Sequence, residues 1–244
     1  MELQNPQNQQ TEVTKERNNR VLLSGVVASE PIMSHAIFGE GFYELNLAVN
    51  RLSNMQDNIP ITISENLLKQ EKILVGKPLT IHGEFRSYNK LIDGRSKLML
   101  TVFVHEIMHE ENTTNPNVIE LSGYVCKAPI YRTTPFNREI ADILIAVNRS
   151  YNKSDYIPTI AWGRNARLAQ NLQVGEKIYL SGRIQSREYQ KKLDNGQTET
   201  RVAFEVSVNK LDTEEFESIF DEDTKFKFID NESPDIQQLH AEQQ

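Results

Sequence analysis

The sequence predicts an all-β chain in which one barrel-forming unit occurs twice. Three observations carry this prediction. The chain repeats itself at a nearly constant offset, apolar residues within each copy alternate with period two, and one segment breaks that alternation with helical spacing.

Residues 1–17 (MELQNPQNQQTEVTKER) are polar and predict a flexible N-terminal segment. The first unit, 18–111, opens with RVLLSGVVASEP, and the second, 112–211, opens with VIELSGYVCKAP; Leu-Ser-Gly and the closing proline recur 98 residues apart. The next strand, ELNLAVNR, returns as DILIAVNR, and Ile59-Pro60 in the third returns as Ile157-Pro158. GRNARLAQNLQVG (Gly163 to Gly175) then places Ala166, Leu168, Ala169 and Leu172 at helical spacing and ends on glycine, so it predicts one short helix. Val75-Gly76 and Gly83 match Val174-Gly175 and Gly182, now at an offset of 99. Each copy closes with a hairpin of two long strands, around IDGR in the first and LDNG in the second. In these strands Ile178, Leu180 and Ile184 keep one parity, as do Val202, Phe204, Val206 and Val208. Five strands with a helix between the third and fourth is the order of an OB-fold barrel, whose exposed face binds nucleic acids in many settings. At about 95 residues, each copy is large enough to hold its own core.

Composition narrows the function. The chain of 244 residues has one cysteine, Cys126, which rules out an intrachain disulfide and a thiolate metal cluster. No run approaches the length of a membrane span, and the N-terminal segment has no apolar signal core, so the expectation is a cytoplasmic protein without membrane contact. The net charge of −7 is unevenly spread: 112–211 has 14 Lys+Arg against 9 Asp+Glu, whereas 212–244 has 2 against 11. A basic module followed by an acidic tail suggests nucleic acid at the first and solvation or partner contact at the second.

One motif points elsewhere. HEIMH (His105, Glu106, His109) has the spacing of a zinc hydrolase, but that chemistry needs a helix to bring both imidazoles to one metal. Leu98, Leu100, Val102 and Val104 alternate up to His105, and LMLTVFVHEI aligns with TRVAFEVSVN at an offset of 102. This predicts the last strand of the first barrel, where two histidines four residues apart are separated by about 13 Å. No phosphate-binding GxxxxGK[ST] loop, GxSxG elbow or CxxC pair occurs, so the chain is read as non-catalytic, with no cofactor or metal.

LSGYVCKAP, YRTTPFNREIADILIAVNRS, IAWGRNARLAQNLQVGEKIYLSGRIQSREY and TRVAFEVSV together make the second unit resemble the bacterial single-stranded DNA-binding protein (SSB) family. The resemblance implies single-stranded DNA as ligand, with unpaired bases stacked on aromatic side chains. At the matching places stand Tyr151, Tyr156, Trp162 and Tyr189, and Arg132 falls where the family commonly has an arginine beside a turn. Arg149, Lys153, Arg164, Arg167, Arg183, Arg187, Lys191 and Lys192 are candidate phosphate contacts. In the first unit the aligned positions hold Ser53, Asn58 and Ser64, and only Tyr88 remains near the last hairpin. That unit is therefore expected to serve mainly in packing or assembly.

The resemblance also implies a homodimer holding four OB units, with roles in replication, recombination or repair. Family tails are acidic and recruit replication and repair proteins through a Pro-Phe tip, but this chain ends LHAEQQ. The tail is expected to be largely disordered. Its FESIFDED stretch fits either a partner-binding turn or a segment packed on the barrel, and its charge would compete with DNA for the basic face. A primosome-type protein-interaction module on the same fold, with weak DNA binding, remains the alternative function.

Overall fold

The computed structural model describes residues 18–51, 53, 55–92, 94–109, 117–149, 152–192, 196–218 and 220. Tyr151, the IDGR aspartate, residues 193–195 and most of the tail lie outside the described residues.

The first unit runs β1 (Asn19–Val27), β2 (Ile32–Ile37), β3 (Glu40–Asn50), β4 (Gln56–Ser64), α1 (Glu65–Gln70), β5 (Pro78–Ile92) and β6 (Arg95–Met108). The second runs β7 (Asn117–Val125), β8 (Ile130–Thr133), β9 (Glu139–Arg149), β10 (Lys153–Trp162), α2 (Gly163–Ala169), β11 (Lys177–Lys192) and β12 (Thr198–Asp212). This is the predicted OB order with one addition per unit. The short strands β2 and β8 fold back on the start of β3 and β9. β2 (IMSHAI) is exposed along its whole length, so it has no buried parity for a sequence pattern to reveal.

Each barrel closes the same way. The first strand pairs with the third and fifth of its unit, and a two-residue parallel pairing joins the fourth to the sixth: Ile61 with Val102, and Thr159 with Val206. Inward residues such as Leu47, Ile61 and Phe85, or Ile145, Ile157 and Ile184, are fully buried. Gly83 and Gly182 sit at register shifts in β5 and β11, where a Cβ on Gly182 would stand 2.2 Å from the Ser207 carbonyl oxygen. That close crossing is why glycine recurs there.

Two expectations are refined. α2 ends at Ala169, not near Gly175. Beyond it the backbone tightens into i→i+3 turns, Asn171 to Leu168 and Leu172 to Ala169, while the Asn171 side chain donates to the Arg167 carbonyl. Leu172 is still buried, which is why the apolar pattern outlasts the helix. The offset of the last strand is 104, not 102, because Val104 lies opposite Gly83 as Val208 lies opposite Gly182. Both offsets are even, so inward residues keep their parity.

The two units form one sheet. β1 and β7 pair antiparallel with Val21 opposite Ile119, so residues equivalent in the repeat face each other across a local two-fold. The side-chain amide of Asn19 extends the ladder by bonding both N–H and C=O of Phe85, and Asn117 does the same with Ile184. The distal hairpins then reach across the seam. The Ser186 N–H and hydroxyl donate to the Asp57 carboxylate, and in the mirror joint the Ser87 N–H and hydroxyl donate to Asp155. After β12 the chain returns to the seam. Ser218 bridges Arg20 of β1 and Glu120 of β7, and Phe220 is buried beneath the Arg20 guanidinium, 4.6 Å from the ring centre. The first part of the acidic segment is thus packed on the barrels. Among the described residues, no helix is long and apolar enough to cross a membrane.

Candidate nucleic-acid interface

Alternation along β10 sends Ile157 and Ala161 inward and Tyr156 and Trp162 to the outer face. Large aromatic rings normally bury most of their area, yet Tyr156 is 48% and Trp162 38% exposed. Six residues of strand put them about 20 Å apart. Trp162 is fixed at one edge by its indole N–H, 3.3 Å from Ser207 Oγ on β12, which leaves part of the ring open. Tyr189 lies on the same sheet, on the distal part of β11, half-buried beside the Arg187 guanidinium.

The structure sorts the cations. Arg132 is paired with Asp142 at 2.9 Å, Arg167 with Glu139, Arg187 with Glu205 at 3.3 Å and Arg149 with Asp155 at 3.5 Å. Arg183 is half-buried near the seam, where desolvation and the neighbouring Arg51 charge lower its pKa. Lys153, Arg164 and Lys192 are exposed and Lys191 is half-buried, and none of the four makes an ion pair among the described residues.

The corresponding face of the first unit is built differently. Ser64 stands where the second unit has Trp162, and Glu84 where it has Arg183. The face is not free of aromatics, but they are packed on one another. His35 stacks on Phe42 at 5.1 Å, Phe42 meets Phe103 at 5.6 Å, Phe103 meets His105 at 5.5 Å, and Arg86 covers Phe103 at 3.9 Å. Tyr88 donates to Glu44 at 3.0 Å; burial first, then that hydrogen bond, pushes its pKa up to about 12. Burial raises the Glu84 pKa, but hydrogen bonds from His105 and Arg86 outweigh it and hold the carboxyl down at about 2. The rings around Phe103 thus pack on one another and on Arg86, with the Glu84 carboxylate bonded to Arg86 and His105.

HEIMH lies at the end of β6, with His105 to Met108 in extended backbone. His105 Nε2 is 3.3 Å from Glu84 and His109 Nε2 is 3.0 Å from Glu71, so the imidazoles turn to separate carboxylates. Among the described residues no group of three or more His, Cys, Asp or Glu side chains is placed to hold a metal.

Two features lie outside the expected site residues. The packed cluster around Phe103 depends on cross-strand register. Phe136, at the tip of the β8–β9 turn, is not among the expected stacking positions, and its sequence signals are a large apolar residue in the turn TTPFNR and a phenylalanine, Phe38, at the repeat-aligned place 98 residues earlier.

Residues 116–212 match the model of the single-strand binding protein family. A single-stranded DNA-binding protein of Clostridium tetani is 34% identical over 83 residues, which span 31% of this chain and 57% of that protein. Single-stranded DNA-binding protein B of Bacillus subtilis is 33% identical over 81 residues, spanning 30% of this chain and 72% of that one. The chain spans about half the length of the first curated relatives it matches, 57% and 48%. Among solved structures, the wild-type single-stranded DNA binding protein from Thermus aquaticus superposes with a TM-score of 0.62 at 19% identity, over 82% of this chain and 94% of that one. That likeness is one of fold.

Proposed function

The chain belongs to the single-strand binding protein family, and from that premise we propose that it binds single-stranded DNA, chiefly on the outer face of its second unit and without catalysis. Unpaired bases stack on Tyr156, Trp162 and Tyr189, with Tyr151 adjoining in sequence. Lys153, Arg164, Lys191 and Lys192 carry the phosphate contacts, supported by Arg132, Arg149, Arg167, Arg183 and Arg187. The observation that supports this most is the exposure of Tyr156 and Trp162 on one strand of the unit that also carries the positive charge. Stacking tolerates any sequence because every base has a π-face, which suits a protein that coats and protects exposed strands in replication, recombination or repair.

Trp162 is the sole tryptophan, so its emission reports this face directly. Titration with a thymine oligonucleotide should quench it saturably, with affinity falling as salt rises. No quenching, and no change in anisotropy of a labelled oligonucleotide at low salt, would remove the proposal.

The working assembly in this reading is a homodimer carrying four OB units, and the acidic tail offers a contact for replication or repair proteins. Light scattering that gives the mass of one chain at micromolar concentration would contradict the dimer.

A further inference from the structure

The β8–β9 turn is held by a compact set of bonds. Thr134 N–H donates to the Arg138 carbonyl at 2.8 Å, Asn137 N–H to the Thr134 carbonyl at 2.9 Å, and Arg138 N–H to Thr134 Oγ1 at 3.1 Å. Asn137 takes a positive φ of 60°, which asparagine tolerates better than most side chains. This rigid turn lifts Phe136 into solvent, where 87% of its area is exposed. An apolar ring so placed is costly to leave uncovered. It does not stand alone: Phe136, Trp162, Arg138 and Thr134 line one open cleft of about 490 Å³.

Resting on the single-strand reading above, we infer that Phe136 and Trp162 form a clamp for one unpaired nucleobase, with Arg138 placed to meet the adjoining phosphate. Three features specify this occupant. The cleft presents two aromatic rings, so a flat π-system gains contact with both. Arg138 is exposed and makes no ion pair among the described residues, so it is available to an anion attached to that π-system. Trp162 already belongs to the proposed stacking face, so a base held there continues the strand's path from Tyr156.

The first unit provides an internal contrast. Phe38 is still more exposed, 106% against 87%, at the tip of its β2–β3 turn, but Ser64 stands at the tryptophan's position, so no second ring comes from there. The clamp is a property of the second unit.

The test is oligonucleotide titration of the full chain and of Phe136→Ala, Phe136→Trp and Arg138→Gln, read by anisotropy of a labelled thymine oligonucleotide and, where the chain retains one tryptophan, by Trp162 emission. Phe136→Ala should weaken binding about tenfold, the size of one stacked base, and reduce Trp162 quenching, while Phe136→Trp restores affinity. Arg138→Gln should weaken binding and reduce its salt dependence by about one ion. Phe136 is exposed in its turn, so its loss leaves the fold intact. If the full chain binds and Phe136→Ala binds equally well, the clamp alone is wrong. If the full chain does not bind at low salt, the single-strand reading falls and the clamp with it.

Discussion

The carboxylate of Asp57, on β4 of the first unit, accepts both the backbone N–H (2.7 Å) and the hydroxyl (2.6 Å) of Ser186, on β11 of the second. Arg51 closes the joint with bonds of 2.7 and 2.5 Å to Asp57 and a third to the Ser186 carbonyl. The mirror joint, Asp155 with Ser87, is looser: Arg149 stays 3.5 Å from Asp155 Oδ1, and Asp155 Oδ2 is buried without a hydrogen-bond partner. The two carboxyls therefore shift in opposite senses. Burial raises both, but at Asp57 the Arg51 and Ser186 bonds outweigh it and lower the pKa, whereas at Asp155 burial prevails. These joints, with the β1–β7 pairing, tie the two barrels into one continuous sheet.

Asp57→Ala should destabilise the chain by about 2–4 kcal/mol, because it leaves a partly buried N–H without its acceptor and a partly buried guanidinium without its carboxylate. Asp57→Asn keeps one carbonyl acceptor and should cost less. Urea unfolding followed by circular dichroism measures both, and an unchanged midpoint in Asp57→Ala would show that the joint carries no stability.

Acid should weaken the first unit through Glu84. Its folded pKa of about 2 lies below the ordinary value of 4.5, so the folded state binds fewer protons than the unfolded state between those pH values. The contribution is full above pH 4.5 and is lost as pH falls towards 2. In Glu84→Gln the unfolding midpoint should therefore fall less steeply over that window than in the full chain. Parallel slopes would contradict the assignment.

Two truncations separate the packed part of the tail from its charge. A chain ending at Phe220 keeps the Ser218 bridge and the buried ring and should unfold as the full chain does. It should also bind single strands more tightly at low salt, having lost seven carboxylates against two lysines. A chain ending at Leu211 loses the ring as well and should be less stable by about 3–5 kcal/mol, the scale of removing a buried phenylalanine side chain. Equal unfolding midpoints for the two truncations would remove the structural role of the Ser218 bridge and the buried Phe220.

Unpaired and paired arginines should differ in their salt signature. Arg164→Gln should lower the slope of log affinity against log salt by about one. Arg132→Gln should lower it less, because Asp142 already neutralises that guanidinium. Titrations from low to moderate salt compare the two directly, and identical slopes would refute the division.

Much of the fold was legible because local pattern and tertiary role coincide. Leu-Ser-Gly, Gly83 and Gly182 recur where strands cross too closely for a side chain, and the alternation of Leu98 to Val104 places HEIMH on a strand. What escaped depends on partners distant in sequence. β2 has no buried side to give it a period, and the β1–β7 pairing joins strands that each already pair with two strands of their own unit. The rise in offset from 99 at Gly83 to 104 at Val104 is taken up by a second-unit distal hairpin five residues longer, which only pairing reveals. On the site, exposure of Tyr156 and Trp162 followed from strand parity. Covering of Phe103 by Arg86 and the approach of Phe136 to Trp162 did not, because one is a cross-strand contact and the other a turn presenting a ring to a neighbouring strand.

The proposed single-strand site lies on the second unit, whereas the first unit's cluster around Phe103 packs on its own side chains. The most direct measurement is anisotropy of a labelled thymine oligonucleotide with Tyr156→Ala/Trp162→Ala beside Tyr88→Ala/Phe103→Ala. Two stacking platforms at roughly 1–3 kcal/mol each predict about a thirtyfold or greater loss for the first pair and less than about threefold for the second. Equal losses in the two double variants would contradict that placement.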